Sequence, residues 1–455
     1  MGTRRSTDIL GTVEIPEGAL WGSHTFRALE NFSIAGRPVH PSLIRAIAAV
    51  KKAAALANHE VGDLSEDRCR AIGDACDEIR AGQWEDQFPV DALQGGAGTS
   101  THMNVNEVVA TRASQILGGG EVDPFDHVNR HQSTNDVFPT AVRIAAIEGL
   151  RSLSSAAAAL QGALQRKEKE FAGVVKIGRT EMQEAVPMTL GAEFAAWAEG
   201  LGRDRWRVFK CEERLRVVNL GGTAVGTGMG APRDYIFLVI EKLREVTGMG
   251  LSRGENLTGE TANADVFVEV SAILKAHAVN LMKMSNDLRL LNALGEVRLP
   301  PLQAGSSIMP GKVNPVVCES AIQGALQVIA NDGLVTESAS RGTCQINEFL
   351  PLLADSLLGS LGILERLDQA LAKYVERISV DEARCRSFVD QSRMIVTAFV
   401  PHLGYGRCGE LLKEFEGSRR TDLRRFLEEK LGDDMVGRIL SPENLMALGY
   451  RRERT

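Results

Sequence analysis

Four short segments combine glycine with hydroxyl, amide and charged side chains, and they are the parts of the sequence best suited to chemistry. They span residues 94–101, 131–136, 178–183 and 305–315. Taken singly, Ser, Thr and Asn before a helix commonly act only as caps. Free N–H groups and the helix dipole at such positions also favour anions. As a set, these segments therefore predict a site for a small carboxylate substrate.

The fourth segment adds a positive charge and two rigid corners. Lys312 is a cation, and the Asn314 amide can donate two hydrogen bonds, which suits a small dicarboxylate. Glycines at both ends of its core and two prolines indicate a mobile lid loop with fixed corners. By contrast, the glycine-rich residues 221–230 lack the spacing of a phosphate loop or a dinucleotide fingerprint, and we predict a turn there.

Long helices are predicted to position these segments. Apolar residues at steps of three and four, with few prolines, predict helices over residues 140–171, 190–218, 266–291, 316–337 and 347–377. Each predicted helix has more apolar surface than one neighbour can cover, so further copies of the chain are expected to complete the burial. His277 lies on one apolar stripe, and we predict a hydrogen-bonded core histidine rather than a ligand.

Length and composition favour a mainly α fold. The 455 residues allow roughly two to four domains. Aromatic residues make up only 5%, whereas strands favour aromatic and β-branched side chains. We predict a mixed helix/loop N-terminal domain at residues 1–131, an elongated central bundle of long helices at 132–384, and a small helical C-terminal domain at 385–455.

Charge and cysteine usage exclude several kinds of partner. Lys and Arg number 52 against 59 Asp and Glu, a net charge of −7, which disfavours nucleic-acid binding. No apolar stretch approaches 18 residues, so we expect no membrane span. The seven cysteines form no CxxC pair, which indicates free thiols in a reducing cytosol and a cytoplasmic location.

The fourth segment, GSSIMPGKVNP, resembles the signature of the aspartase/fumarase superfamily. The likeness extends over nearly the whole chain and includes residues 11–16, 21–25, 219–228 and 444–446. Details resemble the aspartase branch rather than the fumarase branch. They are QGGAGTS at 94–100, QSTND at 132–136, MQEAVPM at 182–188 and LQAG at 302–305.

The resemblance implies an ammonia-lyase that converts L-aspartate reversibly to fumarate by β-elimination. Loss of a proton beside a carboxylate gives an enediolate, whose charge placed hydrogen-bond donors would stabilise. Ser306 is implied as the base, because it stands six residues before Lys312 in the motif; spacing alone leaves Ser307 open. The residues implied to bind substrate are Thr99, Ser133, Thr134, Asn135, Thr180, Glu181, Lys312 and Asn314.

The resemblance also implies how the chain assembles. Superfamily members are homotetramers built on a twenty-helix core, and each active site combines segments from three subunits. The expected partner is a small dicarboxylate, and no metal or organic cofactor, nucleic acid or membrane is expected.

Three departures from the superfamily pattern bear on the substrate. Glu181 stands where fumarases have histidine and many aspartases have glutamine or histidine. Its carboxylate could bind a substrate ammonium, repel a substrate carboxylate or turn away from the site. His102 replaces the usual asparagine, as a pH-sensitive group behind the site or as a neutral hydrogen-bonding substitute. Residues 290–299 replace a longer turn, after a helix predicted to end near Arg289.

Alternative functions remain open at the level of sequence. One is a fumarate hydratase, which interconverts fumarate and malate. Another is a carbon–nitrogen lyase for a substituted aspartate in a specialised pathway, which the unusual Glu181 and the short segment 290–299 favour. A third is a non-catalytic structural relative, but the intact lid and the matched polar positions argue against it.

Overall fold

The computed structural model describes residues 2–450, and they form a mainly α fold, as predicted. These residues contain seventeen α-helices. In chain order they are α1 (Ser23–Asn31), α2 (Pro41–Glu60), α3 (Glu66–Arg80), α4 (Thr99–Leu117), α5 (Thr134–Glu170), α6 (Leu190–Leu215), α7 (Arg233–Thr247), α8 (Leu257–Ala262), α9 (Asp265–Leu294), α10 (Val316–Ser340), α11 (Leu350–Val375), α12 (Glu382–Gln391), α13 (Val400–Leu403), α14 (Tyr405–Gly417), α15 (Leu423–Leu431), α16 (Asp433–Ile439) and α17 (Pro442–Met446).

Eight short strands pair two by two. They are β1 (Thr3–Asp8), β2 (Gly11–Pro16), β3 (Val175–Thr180), β4 (Gln183–Thr189), β5 (Val217–Val218), β6 (Ser252–Arg253), β7 (Val297–Arg298) and β8 (Ser379–Val380). The β1–β2, β3–β4 and β7–β8 pairs are antiparallel, and the β5–β6 pair is parallel. The β3–β4 hairpin matters most here, because its turn follows Thr180.

All five predicted long helices are present, as α5, α6, α9, α10 and α11. The apolar stripe lies on α9, where Val270, Leu281 and Leu288 are fully buried. This helix continues to Leu294, so the predicted end near Arg289 was wrong by a little over one turn.

The start of α5 differs from the prediction for a physical reason. The proline-free pattern predicted a helix from residue 140, with residues 133–136 as an alternative start, and α5 begins at Thr134 and contains Pro139. Proline has no N–H, so it leaves the carbonyl four residues earlier, that of Asn135, without its helical partner. The side chain of Asn219 donates to that carbonyl instead, with Nδ2 2.9 Å from the oxygen. The helix therefore reaches back to the second polar segment.

The described residues fall into two compact units. Unit 1 contains the residues up to Ser154, Trp206–Ala276 and Leu326–Glu365. Unit 2 contains Ser155–Arg205, His277–Ala325 and the residues from Arg366 onward. The division into three domains at residues 1–131, 132–384 and 385–455 stays a prediction.

Each unit has a core that anchors part of the candidate site. In unit 1, every alanine of α2 is buried, and the small side chains let α3 and α7 pack closely against it. In unit 2, the C-terminal helices form an apolar cluster around Phe399, Leu411 and Leu427. Ile177 of β3 is part of that cluster, so the hairpin that follows it is fixed to the C-terminal helices.

His277 is a buried, hydrogen-bonded core histidine, as predicted. In unit 2 its Nδ1 lies 3.2 Å from Asp204 and its Nε2 lies 3.0 Å from Asp368. Burial alone would lower the pKa of His277, but the two carboxylates outweigh it and raise the pKa to about 10. The side chain therefore carries a positive charge between two acids.

The sequence also predicted that the chain has no membrane span and that its cysteines are free thiols. Within residues 2–450, no helix is both long enough and apolar enough to cross a bilayer. The seven cysteines are free; six are buried and Cys344 is exposed.

Candidate active site

The first polar segment leads into the start of α4. Gln94 accepts hydrogen bonds from the backbone N–H and the hydroxyl of Thr101, each at 2.9 Å, which closes the loop. Gly98 has a φ of +94°, and a Cβ there would lie 2.3 Å from the ring of Phe138 in α5. Only glycine lets the two segments come this close. Thr99 is the first residue of α4 and is exposed.

The second polar segment lies at the start of α5, where the buried carboxylate of Asp136 holds the backbone. Asp136 accepts backbone hydrogen bonds from Ser133 at 2.9 Å and from Gly221 and Thr223 at 3.0 Å. Burial raises the pKa of Asp136 to about 6, although the three backbone donors oppose the shift. Asp136 thus links the start of α5 to the glycine-rich loop.

The glycine-rich residues 221–230 have a role that the prediction of a turn missed. The Asn135 amide donates to the carbonyl of Ala224 at 2.7 Å, so the loop positions a predicted substrate-binding side chain. Gly226 has a φ of +82°, and a Cβ there would lie 2.3 Å from the Thr258 backbone nitrogen. The clustered glycines were the available signal, because they permit this close backbone approach.

A buried basic group lies behind Thr134 in unit 1. Lys51 of α2 donates to the side-chain oxygens of Asn129 and Gln132, both at 2.9 Å. Its Nζ also contacts His102 Nε2, and His102 Nδ1 lies 2.8 Å from Thr134 Oγ1. Burial lowers the pKa of Lys51 to about 7. Burial and Lys51 hold the pKa of His102 well below its usual value, so its imidazole is neutral.

The third polar segment is not beside a helix start, contrary to the prediction. Thr180 ends β3, and Glu181 and Met182 form the hairpin turn, with φ values of +53° and +62°. Positive φ at both central positions is the geometry of a type I′ turn, which usually contains Asn or Gly. Thr180 and Glu181 are exposed at this turn. Arg179 anchors the strand through an ion pair of 2.9 Å with the fully buried Glu296.

The fourth polar segment is a loop with fixed corners, as predicted. The Gly305 N–H donates to the Lys312 carbonyl at 2.8 Å, and the Asn314 amide donates to the Gly305 carbonyl at 3.0 Å. These bonds close the loop just before α10 begins at Val316. The tip projects outward, since Ile308 is 84% exposed.

Ser306 occupies a distinctive position inside that loop. Its Oγ accepts the backbone N–H of Ile308 at 3.2 Å and of Met309 at 2.9 Å. Two donors aimed at one hydroxyl oxygen stabilise negative charge on it. Ser306 is half-buried and Ser307 is exposed.

Comparison with known proteins gives the family. The sequence model of a lyase family matches residues 11–330. The chain is 43% identical to an aspartate ammonia-lyase of Pseudomonas aeruginosa over 460 residues, covering 98% of this chain and 97% of that protein. The chain belongs to the aspartase/fumarase superfamily. The expectation of an enzyme of the carbon–nitrogen lyase class is confirmed.

Solved structures of superfamily members support the fold. A fumarate lyase of Brucella melitensis superposes with a TM-score of 0.92 at 44% identity, covering 97% of this chain and 99% of that one. A class II fumarase of Schistosoma mansoni superposes with a TM-score of 0.88 at 32% identity, covering 97% and 98%.

In this superfamily member, the predicted site residues form separate groups within the two units. In unit 1 the first turn of α4, after Thr99, is joined to Ser133, Thr134 and Asn135 by the contact between His102 and Thr134. In unit 2 the hairpin turn contains Thr180 and Glu181. The closed loop of unit 2 contains Ser306, Lys312 and Asn314. The substrate-binding and catalytic roles of all nine residues stay predictions.

Proposed function

We propose that the chain catalyses the reversible β-elimination of ammonia from L-aspartate to give fumarate. The observation that carries this proposal is the closed loop in which two backbone N–H groups converge on Ser306 Oγ, with Lys312 and Asn314 in the same loop. The 43% identity to an aspartate ammonia-lyase, against 32% to a class II fumarase, supports ammonia rather than water as the leaving group.

Ser306 acts as the base in this mechanism. Its alkoxide takes a proton from the substrate carbon next to a carboxylate, and that carboxylate becomes an enediolate. The enediolate then forms the carbon–carbon double bond while the carbon–nitrogen bond breaks, and its electron pair leaves with ammonia. Ammonia takes the proton from Ser306, which restores the alkoxide. The N–H groups of Ile308 and Met309 lower the free energy of the alkoxide.

The remaining predicted residues bind the substrate. Thr99, Ser133, Thr134 and Asn135 belong to the starts of α4 and α5, where free N–H groups and helix dipoles favour a carboxylate. Lys312 and Asn314, near the start of α10, supply charge and amide donors for the enediolate.

The hairpin residues have separate roles. The Thr180 hydroxyl donates to a carboxylate. The exposed Glu181 carboxylate pairs with the substrate ammonium, which an ammonia-lyase substrate carries and malate lacks.

We propose a homotetramer with a twenty-helix core, in which each active site combines segments from three subunits. Large apolar side chains exposed on the long helices support the assembly. Trp206 and Phe209 of α6 are 64% and 62% exposed, and Leu326 of α10 is 53% exposed. Burying such surface against other subunits is favourable by about 25 cal/mol per Å². The enzyme is proposed to be cytoplasmic, to act on a dicarboxylate without metal or organic cofactor, and to bind neither nucleic acid nor membrane.

One absorbance assay tests which substrate the enzyme converts. Fumarate formation is followed in the ultraviolet with aspartate, malate, and N- and 3-substituted aspartates, and ammonia is measured in parallel. Aspartate should give fumarate and ammonia in equal amounts. Turnover of malate alone would replace the proposal by a fumarate hydratase. Turnover of a substituted aspartate alone would replace it by a lyase for that compound.

Ser306→Ala and Ser307→Ala form a matched pair for the base. Loss of a general base lowers kcat by about 10²–10⁴-fold, and we expect this for Ser306→Ala. The kcat of Ser307→Ala should stay within a few-fold of that of the unmodified enzyme, because the Ser307 hydroxyl takes no part in the proposed proton transfer. Near-normal turnover by Ser306→Ala would exclude Ser306 as the base.

A further inference from the structure

Lys51, His102 and Thr134 form a continuous polar chain inside unit 1, and it ends at a predicted substrate-binding hydroxyl. Lys51 is 0% exposed, His102 1% and Thr134 8%. A lysine this deeply buried needs a hydrogen-bond partner for each N–H group.

The number of donors and acceptors fixes the proton positions along this chain. The Lys51 ammonium has three N–H donors, and it faces three acceptors: Asn129 Oδ1, Gln132 Oε1 and His102 Nε2. His102 Nε2 must therefore present a lone pair. In a neutral imidazole the proton then lies on Nδ1, which donates to Thr134 Oγ1. The hydroxyl proton of Thr134 is left free for another acceptor.

We propose that His102, held by Lys51, is a positioning residue that turns the hydroxyl proton of Thr134 toward a substrate carboxylate. The proposal rests on the proposed function in one respect, namely that Thr134 binds a carboxylate. His102 itself is buried behind Thr134 and acts only through it.

The hydrogen bonds between Lys51, His102 and Thr134 reverse their direction when the Lys51 ammonium loses its proton. A neutral amine can donate to Asn129 and Gln132 while its lone pair accepts from His102 Nε2–H. Nδ1 then carries no proton and accepts from the Thr134 hydroxyl, which turns away from the substrate. Because burial lowers the pKa of Lys51 to about 7, the reversal falls near neutral pH. Carboxylate affinity should therefore fall as the pH rises through this range.

Three other titratable groups lie near Lys51 or near the adjacent Asp136. Asp136 has a pKa raised to about 6 by burial, so above that pH its negative charge favours the protonated Lys51. Burial raises the pKa of the Cys76 thiol to about 12 and holds the pKa of Tyr235 well above its usual value. Both therefore remain neutral through the range in which Lys51 titrates.

Binding of succinate, a dicarboxylate that cannot eliminate, tests the proposal by calorimetry on the whole enzyme. From about pH 6 to about pH 8.5, the Kd of the unmodified enzyme should rise about tenfold, the effect of one lost hydrogen bond to a charged group. His102→Leu should bind about tenfold more weakly at the lower pH. His102→Asn, whose amide nitrogen replaces Nδ1 as donor, should restore that affinity without the pH dependence.

Two controls separate positioning from a general structural effect. In a Thr134→Val background, His102→Leu should change the Kd no further, because the shared hydroxyl is gone. Nitrogen NMR of the enzyme labelled in histidine should show His102 protonated at Nδ1 at the lower pH and at Nε2 at the higher pH. Additive losses in the double variant, or an unchanged pH dependence in His102→Asn, would overturn the proposal.

The outcomes also distinguish this proposal from the proposed function. Failure of the unmodified enzyme to bind succinate would overturn both. Succinate binding with the expected pH dependence, but without turnover of aspartate, would overturn only the proposed function.

Discussion

At the scale of single residues, the two neighbouring serines of the loop show what sequence reasoning could and could not provide. The motif names Ser306 as the base, but residue types and spacing do not distinguish it from Ser307. The path of the backbone supports Ser306, because it directs the N–H groups of Ile308 and Met309 at Ser306 Oγ. Such convergence depends on dihedral angles within the turn, which composition does not reveal.

Gly305 allows a test of the closed loop. A Cβ at this position would lie 2.9 Å from the Lys312 carbonyl and 3.0 Å from the Asn314 nitrogen. Gly305→Ala should therefore open the loop and lower kcat/KM for the proposed reaction by about 10-fold or more, the scale expected when a catalytic group is misplaced. Because the loop is largely exposed, the melting temperature should change little.

Gly409→Ala in α14 is the matched control. A Cβ there meets no atom within 4 Å, so activity should be retained and the helix should gain about 0.5–1 kcal/mol. Full activity of Gly305→Ala would show that the corner of the loop is not needed for catalysis.

At the scale of elements, the long helices were predictable because their apolar residues repeat every three or four positions. The first turn of α5 was not, because Pro139 is tolerated only through a hydrogen bond from Asn219, far away in sequence. The β3–β4 hairpin was also missed as an element. Its turn contains Glu181 and Met182 rather than the glycine or asparagine that usually marks such a turn.

The buried group of His277, Asp204 and Asp368 ties α9 to α6 and α11, and it predicts a dependence of stability on pH. Replacing His277 by Gln removes the charge that compensates two buried acids, which should destabilise the protein by about 3–5 kcal/mol. The folded-state pKa of His277, about 10, is higher than its ordinary value of 6.5. The stabilisation is therefore complete below about pH 6.5 and is lost as the pH rises through about 10.

Melting curves at about pH 6 and about pH 10 test whether the stabilisation by His277 decreases as the pH rises. The difference in melting temperature between the unmodified protein and His277→Gln should be larger at the lower pH. His402→Gln, at an exposed histidine, is the control and should change stability by no more than about 0.5 kcal/mol. A difference that grows with pH would mean that His277 is neutral in the folded protein.

At the scale of the whole molecule, sequence identified the superfamily and predicted residues of the site, but it did not indicate which other residues support them. The sequence predicted Thr134 as a substrate-binding residue. Its support by Lys51 through His102 appears only when α2, α4 and α5 are packed together. The sequence also predicted Asn135 as a substrate-binding residue. It predicted only a turn at residues 221–230, although this loop holds the Asn135 side chain. Supporting contacts join distant positions of the chain, and local patterns do not encode them.

The proposed shared active site predicts that two impaired variants can restore each other. In the proposed homotetramer, Ser306→Ala and Thr134→Val each remove one predicted group from every active site. If a site takes Ser306 from one subunit and Thr134 from another, random mixing of the two variants in equal amounts leaves about one quarter of the sites intact. Each group is present with probability one half, and the two choices are independent.

The decisive measurement is fumarate formation from aspartate by the two variants after they are unfolded together, refolded and purified as tetramers. We expect recovery to about one quarter of the rate of the unmodified enzyme treated in the same way. Each variant refolded alone should remain at its own residual rate. No recovery in the mixed tetramers would contradict an ammonia-lyase whose active site is completed by neighbouring subunits.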